Sequence, residues 1–130
     1  MNVFVTGGSG YIGSVVVRRL LGRGDRVTVF DNLERGHRAN LECADEAGRR
    51  KLICPLVVGD LHNENQIRAA IRAARPDAVI HFAAYALVGE SMSDPQMYFD
   101  NNVRGEANLL GAMADVGRVA VYPNRAVVRK

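Results

Sequence analysis

Apolar residues along this 130-residue chain gather in short runs separated by polar segments that carry glycine or proline. Runs at residues 2–6, 26–30, 52–58 and 77–82 are rich in Val, Ile, Leu and Phe and read as strands, with a weaker fifth at 118–122. Between them, residues 11–23, 63–74 and 94–115 carry helical patterning. In the first of these, Ile12, Val16 and Leu20 recur at i, i+4 and i+8, which predicts the buried face of that helix. Pro76 and Asp77 mark a helix end, and Ser93-Asp94-Pro95 reads as a cap followed by a first-turn proline. Alternating strands and helices predict an α/β fold, a doubly wound parallel sheet covered on both faces. The polar stretch 32–51 breaks the alternation. It predicts a variable connection with one short helix between Gly36 and Gly48.

The first strand runs into Gly7-Gly8-Ser9-Gly10-Tyr11-Ile12-Gly13, a glycine turn that opens a helix. Glycines at this spacing permit a tight turn, close approach of a pyrophosphate to the backbone and close helix-on-strand packing. The helix start then offers free N–H groups to phosphate. A lone Gly-x-Gly-x-x-Gly is a weak signal, but this one follows a strand and precedes a helix. Asp31 closes the second strand eighteen residues after Gly13, where a carboxylate accepts the adenosine ribose hydroxyls and repels a 2′-phosphate. The expectation is a Rossmann-like dinucleotide-binding domain over residues 1–117 that takes NAD in preference to NADP.

Charge and cysteines narrow the classes. The formal charge is +3, yet residues 1–117 hold thirteen Lys and Arg against fourteen Asp and Glu. Arg118, Arg125, Arg129 and Lys130 supply the whole excess, so 118–130 is a divergent basic tail. Apart from Tyr122 it lacks aromatic interleaving, and no nucleic-acid partner is expected. No apolar run approaches the roughly 20 residues that span a bilayer. The start Met1-Asn2-Val3-Phe4 lacks a charged leader, so the expectation is a cytoplasmic protein with no membrane partner. Cys43 and Cys54 fit neither a redox pair nor a zinc site, and no metal is expected.

Four phrases carry a family resemblance. They are Val5 to Gly13; Asp31-Asn32-Leu33 with Arg35-Gly36-His37-Arg38; Gly59-Asp60-Leu61; and His81 to Ser91, continuing through Asp94-Pro95 to Asn101-Asn102-Val103. Together they closely resemble the UDP-glucose 4-epimerases, extended short-chain dehydrogenase/reductases, up to about residue 117. Sugar-nucleotide 4,6-dehydratases share the glycine turn and are the alternative enzyme class. The fourth phrase is more like the epimerases. The resemblance implies Gly7, Gly10, Tyr11, Ile12 and Gly13 at the pyrophosphate, Asp31 and Asn32 at the adenosine ribose, and Asp60 and Leu61 at the adenine. Phe82, Ala83, Ala84 and Asn101 would lie along the cofactor. Two readings stand for several of these: Asn101 touches the cofactor or instead caps or bridges helices, and Asp60 accepts from adenine or caps the next helix. His81 reads as a hydrogen-bonded strand-end histidine rather than a catalytic one. Ala86 stands where some family members carry Lys.

The family's reaction takes a hydride from carbon 4 of a UDP-hexose and returns it to the other face. A Tyr-x-x-x-Lys pair removes the hydroxyl proton, since a cation beside a phenol lowers its pKa. Here Tyr11, Tyr85, Tyr98 and Tyr122 are followed four residues later by Val15, Gly89, Asn102 and Ala126, so the chain holds no such pair and no catalytic residue is assigned. The expectation is the NAD-binding part of a UDP-glucose/UDP-galactose 4-epimerase, stopping before the catalytic centre. A non-catalytic NAD-binding module or an inactive fragment is the alternative. UDP-sugar substrate and a homodimer belong to the complete family.

Overall fold

The computed structural model describes residues 1–117 and the backbone of 120–123. The chain runs β1 (Asn2–Thr6), α1 (Tyr11–Gly22), β2 (Arg26–Asp31), a 3₁₀ turn (Arg38–Leu41), β3 (Glu42–Ala44), β4 (Arg50–Leu52) and β5 (Leu56–Val58). It continues with α2 (Glu64–Ala74), β6 (Ala78–His81), α3 (Val88–Ser93), α4 (Pro95–Phe99), a π-helical turn (Asp100–Arg104), α5 (Gly105–Ala114) and β7 (Ala120–Pro123). Five strands form a parallel sheet in the order β5-β2-β1-β6-β7. Sequence order reverses on either side of β1, and in open α/β sheets the crevice at such a switch point, beyond the strands' carboxyl ends, is where ligands bind.

Both faces of the sheet are covered, which is why its strands are apolar throughout rather than alternating. In β1, Phe4 points to one side with Phe30, Val79, Ile67 and Ile71 of α2, and Leu109 and Met113 of α5. Val3 and Val5 point to the other, with Val27, Val29, and Val17 and Leu20 of α1. Phe4, Val5, Val17, Val29, Ile67, Ile71 and Val79 are fully enclosed. Each such burial contributes roughly 1.5–3 kcal/mol in removed apolar surface.

Four expectations change. The buried row of α1 is Gly13, Val17 and Leu20, while Ile12 is 55% exposed and Val16 only half-buried. The helix touches the glycine turn through Gly13, where a Cβ would sit 2.3 Å from the Gly7 carbonyl oxygen, and this contact turns the 12–16 row outward. The run 52–58 is not one strand. Leu52 ends β4, which pairs antiparallel with β3, whereas Leu56 begins β5 on the main sheet. Pro55 sits at the crossing and lacks the N–H a continuous ladder needs. The stretch 32–51 therefore holds a hairpin besides its short 3₁₀ turn. Finally, 94–115 is helical but interrupted by the π turn, and a further helix, Val88–Ser93, precedes it with no buried residue and hence no apolar period to betray it. The fifth strand occupies 120–123. Arg118, Val119 and the tail beyond Pro123 lie outside the described residues.

Candidate functional site: a cleft at the strand ends

Beyond the carboxyl ends of β1, β2, β5 and β6 lies an open cleft of about 580 Å³, mouth included. Its walls bring together ten of the thirteen sequence-predicted residues: Gly7, Gly10, Asp31, Asn32, Asp60, Leu61, Phe82, Ala83, Ala84 and Asn101. Tyr11, Ile12 and Gly13 stand at the first turn of α1. The Tyr11 side chain is 89% exposed and does not line the cleft. Gly7 adopts φ +69°, and a Cβ there would lie 2.6 Å from the Ala83 nitrogen, so the turn and the end of β6 close in only as far as glycine permits. The N-cap of α1, Gly10, lines the cleft and brings no side-chain hydrogen bond, so the amides of the first turn have no capping side-chain oxygen. They can receive an anion.

Asp31 is buried and builds the opposite side of the turn. Its Oδ2 accepts from Ser9 N at 3.0 Å and its Oδ1 from Leu33 N at 2.9 Å. The Ser9 carbonyl in turn accepts from His37 N and from Asn40 Nδ2, at 3.1 and 2.8 Å. The glycine turn, the carboxylate and the connecting loop thus form one rigid unit. A carboxylate carries about four acceptor positions, so Asp31 retains capacity for hydroxyl donors.

Asp60 stands across from Asn32, whose Nδ2 donates to Oδ2 at 3.1 Å. Its Oδ1 accepts both from His62 N at 2.8 Å and from His62 Nδ1 at 2.6 Å. Partial burial opposes the charged form, but the His62 and Asn32 donors prevail and hold this carboxyl below the usual carboxylate range. Asp60 is not the cap of α2; Asn63 is, through Gln66 N. Leu61 lines the cleft from the core beneath it, buried with Phe30. Asn101 donates through Nδ2 to the Ala83 carbonyl, in the loop after β6 rather than in a helix, at 3.3 Å, and its neighbour Asn102 holds both the N–H and the carbonyl of Tyr85. The π turn projects these two consecutive side chains toward the segment after β6. His81 is a strand-end histidine bonded to Thr6, as its pattern suggested.

A clasp over the cleft was missed. The Arg35 guanidinium lies 3.9 Å from the centre of the Tyr85 ring and pairs with Glu90 Oε2 at 2.6 Å. Tyr98 donates its hydroxyl to the same Glu90 oxygen at 2.7 Å, and Tyr85 donates to Glu34 Oε2 at 2.8 Å. These bonds span the cleft from the loop after β2 to the segment after β6. Arg35 and Tyr85 each lie in a phrase that sequence reading singled out, but nothing in a linear pattern pairs residues fifty positions apart.

The sequence profile of the NAD dependent epimerase/dehydratase family matches residues 3–124. UDP-glucose 4-epimerase 3 of Oryza sativa subsp. japonica is 42% identical over 136 residues, covering 98% of this chain and 35% of that protein. UDP-glucose 4-epimerase of Klebsiella pneumoniae is 41% identical over 117 residues, covering 90% of this chain and 83% of that sequence. The crystal structure of Thermus thermophilus UDP-glucose 4-epimerase in complex with NAD superposes with a TM-score of 0.78 at 40% identity, over 90% of this chain and 35% of that one. The chain thus spans about a third of the rice protein and of the Thermus structure. Fold, cleft and profile agree over the same residues, and the chain belongs to the NAD dependent epimerase/dehydratase family.

Proposed function

We propose that the cleft binds NAD and that these residues are the cofactor-binding part of a UDP-glucose 4-epimerase. One observation carries the reading: the uncapped first turn of α1 and the Asp31 carboxylate stand at the same end of one cleft, tied together through Ser9. The residues fit the cofactor. The space a Cβ would fill at Gly7 and Gly13 is what brings turn, helix and β6 together, and the first-turn amides of Tyr11, Ile12 and Gly13 suit the pyrophosphate. Asp31, with Asn32, suits the ribose hydroxyls, and Asp60 over Leu61 suits the adenine. Phe82, Ala83, Ala84 and Asn101 form the wall toward the nicotinamide end. When bound, NAD supplies a hydride acceptor; the chain's own contribution is to bind and orient it. The relatives named as UDP-glucose 4-epimerases support a UDP-hexose as substrate of the whole protein.

Calorimetric titration of the 130-residue chain with NAD tests this. Saturable binding at one site per chain is expected, and no heat or thermal shift at millimolar NAD overturns the reading. A second reading, a module that binds NAD without turnover, is favoured by the lack of any Tyr-x-x-x-Lys in the sequence. Assay of UDP-galactose conversion, with protein made in a host lacking its own epimerase, separates the two. General-base help alone contributes about 10² to 10⁴ in rate, and none is expected from these residues.

A further inference from the structure

His62 is a residue to which the cofactor reading gives no task, yet it sets the geometry of one that has a task. Asp60 faces the cleft with its two oxygens held differently. Oδ1 accepts from two donors, the backbone N–H and the ring Nδ1 of His62, at 2.8 and 2.6 Å. Oδ2 accepts from one, Asn32 Nδ2, at 3.1 Å. Each carboxylate oxygen has about two acceptor positions. Oδ1 is therefore filled, and a single position is left, on Oδ2. The peptide that carries His62 is itself anchored from α5, where Asn108 Nδ2 donates to the Leu61 carbonyl at 2.8 Å and to that of His62 at 3.4 Å. The backbone that carries the ring is thus held from α5, and the ring holds the carboxylate.

We propose that His62 is a positioning residue for base recognition: by occupying Oδ1 it presents one fixed acceptor of Asp60 to the cleft, and so selects a purine that carries an exocyclic amino group. This rests on the reading of the cleft as a dinucleotide site and deepens it. A carboxylate with one open acceptor suits an N–H donor and repels a carbonyl in the same place. Adenine offers the amino group; hypoxanthine offers a carbonyl. Without the ring, Oδ1 keeps only the backbone N–H of residue 62 and opens its second position to water, so the direction of the acceptor loosens while its charge stays.

The test compares NAD with nicotinamide hypoxanthine dinucleotide, each titrated calorimetrically into the full chain and into His62→Ala and His62→Asn variants. The unmodified chain is expected to favour NAD by about 10- to 100-fold, the range for a hydrogen bond to a charged group. His62→Ala is expected to narrow that ratio by about three- to tenfold, through weaker NAD binding with the analogue little changed. His62→Asn, whose side-chain amide can donate to Oδ1, is expected to restore most of it and guards against a folding defect in the alanine variant. An unchanged ratio in His62→Ala, whether both affinities fall together or neither moves, overturns the proposal. Equal affinity of the unmodified chain for the two ligands also overturns it while leaving dinucleotide binding intact. Binding of neither ligand overturns the cofactor reading and this proposal with it.

Discussion

Thr6 Oγ1 and His81 Nδ1 lie 2.6 Å apart, both side chains buried, and join the carboxyl ends of β1 and β6. Burial pushes the His81 ring below its ordinary value of 6.5, against a weaker opposing pull from Glu106. As pH falls, the unfolded chain therefore takes up the proton before the folded one. The stability contributed by the neutral ring is fully present above about pH 6.5 and is lost as pH drops through the lower folded value. Melting temperatures measured at pH 8 and pH 5.5 should show a larger fall for the unmodified chain than for His81→Asn, which has nothing to protonate. Equal falls would mean that the ring takes up its proton at the same pH in the folded and the unfolded chain.

Asp31→Asn keeps the size of the side chain and removes the charge, at the cost of one of the two acceptors that hold Ser9 N and Leu33 N. The preference for NAD over NADP is expected to shrink, because the carboxylate no longer repels a 2′-phosphate. The ratio of the two dissociation constants is the measurement. An unmodified chain that binds both cofactors equally sinks the assignment of Asp31.

Two glycines of the same helix are expected to respond in opposite directions. A methyl at Gly13 would meet the Gly7 oxygen at 2.3 Å, so Gly13→Ala has to separate α1 from the turn, at a cost of more than about 2 kcal/mol. Gly22, at the end of the same helix, has nothing within 4 Å of the added atom. Gly22→Ala should stabilise by about 0.5–1 kcal/mol through helix propensity and a less flexible unfolded chain. Urea titrations with a common slope read both.

The clasp predicts an effect on rate rather than on stability. Arg35 and Glu90 are each more than a third exposed, so their pair contributes only about 0–1 kcal/mol to the fold. Arg35→Ala should leave the melting temperature almost unchanged. It also removes the stacking on Tyr85, which opens the cleft mouth, and NAD is expected to dissociate about three- to tenfold faster in stopped-flow displacement.

What the sequence disclosed and what it hid divide along a physical line. The strand, the glycine turn, the first-turn amides and Asp31 were legible because each is specified by neighbours within a few residues, and ten of the thirteen predicted residues line one cleft. Local pattern named Leu20 of the buried row of α1 but put Ile12 and Val16 where Gly13 and Val17 stand, since that row is decided by where the helix meets Gly7. It missed the β3–β4 hairpin, whose residues are exposed or half-buried and so carry no alternation, and it missed α3 for the same reason. Arg35 and Tyr85 act through partners brought close only by the fold. For Arg35 and Glu90 that partner lies 55 positions away.

The parallel sheet also imposes an order in time. β1 can pair with β2 as soon as Asp31 has been made, but its other neighbour, β6, joins Thr6 to a histidine 75 positions later. A growing chain emerges at about 5–20 residues per second, so for several seconds the glycine turn exists with one wall only. During that interval the apolar edge of β1 is open to any strand that reaches it first, and the fidelity of this half-built cleft depends on β6 arriving before a stranger does.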